Sequence, residues 1–286
     1  MKRTSGLRNI WYNLSSNQRY FIRRLYYFPK DLMDKLSGKS HKYVPPRGFI
    51  YTGSPASAEK YVQQGRHQVQ LLKDFVQLQQ NDTVLDIGSG IGRTAIGLTE
   101  FLSGSARYEG FDVVRKGVDW CSQKIAKDFP HFHFTYVPLF NDLYNESKKQ
   151  ATDFVFPYEK DTFDKAFSFS VFTHMKISEI EHYFTEINRV TKPGGLSLHT
   201  FFLYEDADAQ YISTRQNFRF PVDKGNYKLM SEKVESANIA IHKAELKAMA
   251  ERSGLEILNI VDGFWKDEVK SPSKIEYQDM VVFRKP

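Results

Sequence analysis

The sequence contains almost no cysteine and no long apolar run, and each shortage excludes a class of protein. Cys121 is the only cysteine among 286 residues, so the chain cannot build an intramolecular disulfide framework or a multi-cysteine metal site. No window approaches the roughly 18 apolar residues of a transmembrane helix, and no apolar signal-peptide core follows the basic start of the sequence. We therefore expect a cytoplasmic protein, either soluble or peripheral at the inner membrane surface.

Acidic residues are scarce in the first part of the chain. Residues 1–50 carry 11 Lys and Arg against 2 Asp, a net charge of +9 (11 − 2), although the whole chain carries only +6. In the same segment apolar residues recur at steps of three or four, which predicts one or two amphipathic helices interrupted near Pro29. Three prolines in VPPRGFIYTGSP then break regular structure. We divide the chain there into a basic helical extension, residues 1–52, and a main domain, residues 53–286.

The extension admits three interpretations. Its aromatic residues stand near arginines, a composition typical of helices that lie on anionic membrane surfaces; they are Trp11, Tyr12, Phe21, Tyr26 and Tyr27. A basic segment also suits nucleic acid. The third interpretation is a lid that packs on the domain while its charged face is solvated, as such faces usually are. We favour the lid over a peripheral membrane contact, and we favour nucleic acid least.

From residue 82 onward, short apolar runs alternate with segments of helical periodicity. The predicted strands are TVLDIG, YEGFDV, FHFTYV, FDKAFSFS and LSLHTFFL, and the helices between them cover 91–102, 116–128 and 178–190. A helix over His242–Arg252 follows, and then the strands LEILNIV and YQDMVVFRK. This alternation predicts an α/β fold with a parallel sheet and helices on both faces. Residues 204–240 match no periodic template, and we expect an insertion over the ligand-binding edge of the sheet.

The segment VLDIGSGIGR places three glycines between the first predicted strand and a helix. At this edge of a parallel sheet, free N–H groups and a positive helix end favour a pyrophosphate or a carboxylate. Gly88, Gly90 and Gly92 have the spacing G-x-G-x-G, whereas a dinucleotide site expects G-x-G-x-x-G, so NAD is disfavoured. Asp86 would repel a pyrophosphate and attract an ammonium group. The ligand should therefore carry a cation near the end of this strand.

Together with the acid before it, this turn resembles motif I of the class I S-adenosylmethionine-dependent methyltransferases. The likeness continues in FDKAFSFSVFTHM and in the Pro-Gly-Gly turn of INRVTKPGGLSLHTF, over residues 82–203 and more loosely over 240–284. It implies a Rossmann-like sheet of seven mostly parallel strands and S-adenosyl-L-methionine as the cofactor. The segments GFDVVRKGVDWC, SVFTHM and YQDMVV resemble a bacterial subgroup associated with glycan or small-molecule modification.

The resemblance implies roles for individual residues. Asp86 would help to hold the methionine part of the cofactor, and Gly88 and Gly90 would allow its close approach. Asp112, at the end of the second strand, would accept hydrogen bonds from the two ribose hydroxyls.

The adenine end of the site departs from the family pattern. Pro138 stands where many relatives have an acid near the adenine amino group, which leaves the Leu139 backbone and Asn141 for that contact. The complete set of expected cofactor-binding residues is Asp86, Gly88, Ser89, Gly90, Gly92, Arg93, Asp112, Val113, Leu139, Asn141, Ser170 and Val171.

Methyl transfer from a sulfonium is an in-line displacement that depends on orientation and on exclusion of water. A general base is required only when the acceptor is a hydroxyl. His174, which follows the fourth strand, is the leading candidate for this base, although a core or helix-entry histidine is the alternative. Tyr204 is the second candidate, together with Glu205 and Asp206 after the fifth strand.

We expect the acceptor to be a small molecule or a saccharide that is methylated at oxygen rather than nitrogen. Tyr211, Phe218 and Phe220 of the insertion would shape its pocket. Gln278 and Asp279 begin the last strand, where they either approach the acceptor or serve an ordinary edge strand. Acids do not cluster after the fourth strand, so we expect no metal.

Two functions of other classes stay open. A nicotinamide-dependent oxidoreductase would share the sheet, and binding of NADH in place of S-adenosylmethionine would identify it. A catalytically silent cofactor-binding scaffold protein would bind the cofactor tightly and yield no product with a broad panel of acceptors.

Overall fold

A computed structural model of the chain describes residues 14, 16–51, 56–141, 145–146, 149–232, 234, 237–266 and 275–286. Its α-helices are α1 (Ser16–Leu36), α2 (Ala58–Val76), α3 (Arg93–Leu98), α4 (Arg115–Cys121), α5 (Ile177–Val190), α6 (Asp206–Thr214) and α7 (Lys243–Arg252). The strands of its large sheet are β1 (Thr83–Ile87), β2 (Arg107–Asp112), β3 (Phe132–Tyr136), β4 (Phe163–Ser168), β5 (Thr191–Phe201), β6 (Glu256–Val261) and β7 (Asp279–Arg284).

The seven strands form one sheet in the order β6-β7-β5-β4-β1-β2-β3. Strands β1 to β5 pair in parallel, and β7 pairs antiparallel with both β5 and β6. This order confirms the predicted Rossmann-like α/β fold. Because β1 lies between β4 and β2, the chain leaves β1 toward one edge of the sheet and later returns to its other side. Ligands of such sheets bind at the carboxyl ends of the strands beside this reversal.

Helices cover both faces of the sheet. On one face, Phe184 of α5 and Leu246 of α7 belong to a buried cluster that includes strand residues. On the other face, Leu72 of α2, Ile96 of α3 and Cys121 of α4 belong to a second cluster. Side chains of the central strands β1 and β7 are therefore buried on both faces of the sheet, as is usual for strands covered by helices on both sides.

Two helices are shorter than their sequence patterns. α3 begins only at Arg93, because Gly92 before it has a left-handed φ of +82°. After Leu98 the N–H groups of Glu100 and Phe101 bond three residues back, so the helix tightens instead of continuing to residue 102. α4 gives way after Cys121 to a π-helical turn, although the sequence predicts one helix over 116–128.

The insertion contains regular structure that its sequence pattern does not indicate. Besides α6 it has four short strands that form a second sheet, namely Leu203–Tyr204, Val222–Asp223, Tyr227–Leu229 and Ile239–His242. Strands of two to four residues are too short to display a period of two. Buried aromatic side chains of Phe202, Tyr204, Phe220 and Trp265 hold this unit together.

Among the described residues of the N-terminal extension, a single α-helix spans Ser16–Leu36. α1 continues through Pro29, so the predicted interruption there is wrong; the ring removes one backbone hydrogen bond, but the turns on either side persist. Its apolar side chains are exposed: Phe21, Leu25 and Leu36 are 63%, 61% and 79% exposed. Over residues 21–36, the apolar face of α1 therefore does not pack on the domain as the lid interpretation expects.

Candidate functional site

A cavity of about 210 Å³ lies at the carboxyl ends of β1, β2 and β4, beside the reversal of the sheet. Ten of the twelve expected cofactor-binding residues line it: Asp86, Gly88, Ser89, Gly90, Arg93, Asp112, Val113, Leu139, Ser170 and Val171. His174 lines it as well. The topology therefore brings together residues from three strand ends that the sequence places far apart.

The three glycines of the turn adopt the left-handed backbone conformation. The φ angles of Gly88, Gly90 and Gly92 are +77°, +58° and +82°. A Cβ on Gly88 would lie 2.4 Å from Cγ2 of Val171, so this glycine lets the turn contact the loop after β4. A Cβ on Gly92 would lie 2.8 Å from Sγ of the buried Cys121. Gly92 does not appear in the cavity lining, and its role is to pack α3 against α4.

The N–H groups of this turn are used inside the protein, so the expectation that they are free for a ligand is wrong. Gly88 and Ser89 donate to the carbonyl of Phe111 over 2.9 and 3.0 Å, and Gly90 donates to the Asp112 carboxylate over 2.8 Å. These bonds tie the turn to the end of β2. The buried hydroxyl of Ser89 has no hydrogen-bond partner among the described residues. It is a group that a ligand in the cavity would satisfy.

Asp86 is buried at the end of β1, where the hydroxyl of Tyr108 donates to its Oδ2 over 2.7 Å. Burial raises the pKa of Asp86 to about 7, against the hydrogen bond from Tyr108, which lowers it. The neighbouring acid Asp112 raises the pKa further. A cation in the cavity would favour the charged form of both carboxyl groups.

Asp112, at the end of β2, holds the backbone on either side of the cavity. Its Oδ2 accepts from the N–H of Gly90 and its Oδ1 from the N–H of Val114, each over 2.8 Å. Burial raises the pKa of Asp112 to about 6, while these two bonds and the Tyr51 hydroxyl lower it. A carboxylate has about four acceptor sites, so it can also accept from a ligand hydroxyl.

The region after β3 differs from the prediction. Leu139 lines the cavity, but its N–H donates to the carbonyl of Val137 over 2.9 Å. The backbone donor expected for an adenine contact is thus already engaged, and the buried side chain of Leu139 forms the wall instead. The side chain of Asn141 lies outside the described part of the chain. Phe111 and Met175 add further apolar surface to the lining.

Ser170, in the loop after β4, has a left-handed φ of +60°. Its N–H donates to Oγ1 of Thr200 over 2.7 Å, and its hydroxyl donates to Oε1 of Gln278 over 2.9 Å. A non-glycine residue keeps this conformation only when its surroundings hold it. These bonds fix the loop at the boundary between the first cavity and its neighbour.

A second cavity of about 200 Å³ adjoins the first. The two cavities share lining residues, namely Gln68, Arg93, Phe169 and Ser170. The other residues that line the second cavity are Gln64, His67, Thr200, Glu276, Tyr277 and Gln278. Nε2 of His67 lies 3.4 Å from Oε2 of Glu276. The lining is therefore rich in amide, hydroxyl and carboxylate groups.

The sequence does not indicate a second cavity, although Arg93, Ser170 and Gln278, which line it, were expected near the site. The available signal was the spacing of Gln64, His67 and Gln68 on α2, which places three polar side chains on one face of a helix. Glu276 comes from the far end of the chain, and no local pattern links it to His67.

A family model described as a methyltransferase domain matches residues 84–195, which run from β1 to the Pro-Gly-Gly turn at the start of β5. The match includes the glycine turn, Asp112 and the loop after β4. The chain therefore contains a methyltransferase domain.

Solved structures share the fold of this methyltransferase. A chain of the complex between the Haloferax volcanii Trm112 methyltransferase activator and a methyltransferase has a TM-score of 0.53 at 15% identity, covering 80% of this chain and 93% of that chain. For a Pyrococcus horikoshii protein the TM-score is 0.52 at 15% identity, with 80% and 92% covered. A geranyl diphosphate methyltransferase in complex with S-adenosylmethionine has a TM-score of 0.50 at 15% identity, with 77% and 85% covered.

The first cavity fits S-adenosylmethionine, the cofactor that the resemblance in the sequence implies. The ligand is cationic, and the cavity has two buried carboxyl groups, Asp86 and Asp112, whose pKa values burial raises. The Ser89 hydroxyl, buried without a partner among the described residues, adds a polar group for the ligand. Apolar side chains such as Leu139 provide surface for an aromatic ring.

The second catalytic candidate from the sequence, Tyr204, is a structural residue of the methyltransferase. It is buried in the aromatic cluster of the insertion, lines neither cavity, and donates its hydroxyl to the carbonyl of Gly225 over 3.3 Å. Glu205 lies 3.1 Å from Nζ of Lys243, and Asp206 is the first residue of α6. The expectation of a catalytic Tyr204 is therefore wrong.

Of the two residues expected to border the acceptor at the start of the last strand, only Gln278 lines a cavity. Asp279 is fully buried and accepts hydrogen bonds from the N–H groups of Leu203 and Gly263 and from the indole of Trp265. It joins β7 to the insertion, whereas Gln278 beside it lines the second cavity.

Tyr211, Phe218 and Phe220 line neither of the two cavities. They pack in the aromatic cluster of the insertion instead. Within the described ranges of the chain, no three His, Cys, Asp or Glu side chains are grouped as a metal ion would need. The absence of a metal stays a prediction.

Proposed function

We propose that this methyltransferase transfers a methyl group to an oxygen of a polar small molecule or saccharide held in the second cavity. The observation that carries the proposal is the shared wall of the two cavities, formed by Gln68, Arg93, Phe169 and Ser170. An acceptor in one cavity would meet the cofactor in the other across this wall. The amide and hydroxyl groups of the second cavity suit a ligand rich in hydroxyls.

The first cavity would hold S-adenosylmethionine through a small set of groups. Asp86 would attract the ammonium group of the methionine part, and Asp112 would accept a hydrogen bond from the ribose. The Ser89 hydroxyl would gain the partner that it lacks among the described residues. The side chain of Leu139 would contact the adenine ring. Gly88 and Gly90 would act by shaping the turn, since their N–H groups are engaged.

The bound cofactor supplies an electrophilic methyl group on a cationic sulfur atom. For a hydroxyl acceptor, the protein must receive a proton as the new bond forms. The imidazole of His67 would receive this proton, and the carboxylate of Glu276, whose Oε2 lies 3.4 Å from Nε2, would stabilise the resulting imidazolium. His174 lines only the cofactor cavity among the two, so we place it against the cofactor rather than at the acceptor hydroxyl.

Incubation with isotope-labelled S-adenosylmethionine and a panel of acceptors tests this function. The panel should contain sugars and polyols as oxygen acceptors, amines as nitrogen acceptors, and geranyl diphosphate as a carbon acceptor. We expect labelled methyl ethers from the hydroxylated compounds. Labelled product from amines or geranyl diphosphate alone would contradict the proposal.

Paired variants separate the two cavities. Gln64→Leu changes only the second cavity, so it should raise KM for the acceptor and leave the Kd of the cofactor unchanged. Asp86→Asn changes only the first cavity and should have the opposite pattern. If Gln64→Leu instead weakened cofactor binding, the acceptor would not occupy the second cavity.

A further inference from the structure

Helix α1 contacts the rest of the protein with its polar face. Asp31 accepts hydrogen bonds from the N–H of Arg47 over 3.0 Å and from the N–H of Gly48 over 3.3 Å. Asp34 pairs with the guanidinium of Arg47, and Arg23 donates to the carbonyl of Ile50. The attachment of α1 therefore consists of ion pairs and hydrogen bonds to the segment 47–50.

The close contact between α1 and the segment 47–50 determines how α1 is rotated about its own axis. A Cβ on the buried Gly48 would lie 2.8 Å from Cα of Arg24, so α1 packs directly on this glycine. The guanidinium of Arg24 stacks on the ring of Phe49 with its carbon 4.7 Å from the ring centre. Tyr51, shortly after this segment, lines the cofactor cavity. The helix is thus fixed to the segment 47–50, which itself packs on the catalytic domain through Phe49 and Ile50, and one face of the helix points away.

The face that points away is apolar. At 100° per residue, its side chains cover about 160° of the helix circumference. All of them are between 43% and 79% exposed: Phe21, Ile22, Leu25, Tyr26, Phe28, Leu32, Met33 and Leu36. Single exposed apolar residues are ordinary, but a continuous stripe along a 21-residue helix marks an interaction surface.

The charges beside this stripe are positive. The acids of α1, Asp31 and Asp34, lie on the attached face and are paired with Arg47. Lys30 borders the stripe on one side and Lys35 on the other, and both are exposed. Long basic side chains at the borders of an apolar stripe can reach anionic headgroups while the stripe enters the acyl region.

We propose that α1 binds the surface of an anionic lipid bilayer, with its apolar stripe inserted at the headgroup boundary and the catalytic domain held above it. Complementary charge and the width of the stripe favour this occupant over a second copy of the chain, whose identical basic borders would repel each other. None of the described helices is long and apolar enough to cross a membrane.

Co-sedimentation of the full chain with two kinds of vesicle tests the proposal. One kind is phosphatidylcholine alone, and the other contains phosphatidylglycerol as well. We expect binding to the anionic vesicles, weaker binding to the neutral ones, and a decrease with added salt. Leu25→Glu should weaken the binding at least about tenfold, because it replaces an inserted apolar side chain by a charge.

Leu258→Glu is the matched control, since this leucine of β6 is also exposed and the substitution is the same. It should bind the vesicles like the unaltered protein. Equal binding of the two variants, or no binding to phosphatidylglycerol vesicles, would overturn the proposal. So would a dimer in gel filtration that Leu25→Glu dissociates, because the stripe would then contact a second copy. Cofactor affinity, measured on the same preparations, should be unchanged in both variants.

Discussion

The hydroxyl of Tyr108 donates a hydrogen bond of 2.7 Å to the carboxylate of Asp86, and both side chains are buried beneath the cofactor cavity. Burial holds the pKa of Asp86 at about 7, and the bond from Tyr108 keeps it from rising further. The charge that attracts the ammonium group of the cofactor thus depends on a tyrosine that does not line the cavity itself.

Tyr108→Phe should therefore weaken cofactor binding by about 1 to 3 kcal/mol near neutral pH. In the unaltered protein the affinity should fall as the pH falls through about 7, because Asp86 becomes protonated and loses its charge. In the variant this fall should occur at a higher pH. Titration calorimetry at a series of pH values measures both effects. Tyr158→Phe, at a half-buried tyrosine outside the cavity, is the control, and an identical profile for the two variants would refute the role of Tyr108.

Asp86 should also make the ligand-free protein less stable as the pH rises. Its pKa is raised on folding from 3.8 to about 7, so its contribution to stability is complete below about pH 4 and is lost between about pH 4 and 7. Asp86→Asn should accordingly gain stability relative to the unaltered protein over this range. Urea denaturation at several pH values measures the difference. A difference that does not change with pH would contradict the raised pKa.

Asp128→Asn is a control, because the pKa of Asp128 is shifted in the opposite direction from that of Asp86. The hydrogen bonds from Lys42 and Tyr43 lower the pKa of Asp128, so its contribution is present above the ordinary pKa of an aspartate and is lost as the pH falls. Asp128 is exposed, and we expect only a small effect.

Gly88→Ala should destabilise the protein more than a left-handed backbone alone requires. Gly88 and Gly194 have nearly the same φ, +77° and +76°, so alanine at either position costs roughly 1 to 2 kcal/mol. Only at Gly88 would the new methyl group meet a neighbour, Cγ2 of Val171 at 2.4 Å, whereas nothing lies within 4 Å at Gly194. We expect an additional loss of about 1 to 3 kcal/mol at Gly88.

Chemical denaturation of three variants checks this difference. Gly88→Ala and Gly194→Ala give the two costs, and the double variant Gly88→Ala with Val171→Ala should recover part of the additional loss. Equal stabilities of the two single variants would show that the turn does not need its close contact with Val171.

His67→Gln should lower kcat for a hydroxyl acceptor by about 10²-fold or more, because it removes the group that receives the proton. His174→Gln should chiefly weaken cofactor binding, since His174 lines the first cavity and not the second. Steady-state kinetics and cofactor titration distinguish the two histidines. His133→Gln, at an exposed histidine of β3, should change neither quantity. If His174→Gln lowered kcat strongly and His67→Gln left kcat unchanged, His174 would be the general base instead.

The sheet was predictable from the sequence because short apolar runs alternate with segments of helical periodicity, and some strands end clearly, such as β1 before Gly88 and β2 at Asp112. Asp86 and Asp112 were predictable as neighbours for the same reason, since they end parallel strands next to each other. The hydrogen bonds of the N–H groups in the glycine turn could not be predicted. Their acceptors belong to β2, so the bonds depend on the register between the strands.

The second cavity and the rotation of α1 could not be predicted from local patterns. His67 and Glu276 meet only because α2 lies beside the segment 276–278 that leads into β7. The periodicity of α1 gives the width of its apolar stripe but not the direction in which the stripe points. That direction is set by Asp31 and Asp34, which pair with Arg47 beyond the helix.

The most direct test of the account is titration calorimetry of S-adenosylmethionine and NADH with the unaltered protein, Asp86→Asn and Asp112→Asn. We predict that S-adenosylmethionine binds and NADH does not, and that each substitution weakens the binding by about 1 to 3 kcal/mol through lost charge-assisted hydrogen bonds. Binding of NADH alone, or unaltered affinity for S-adenosylmethionine in both variants, would contradict the assignment of the cofactor to the first cavity.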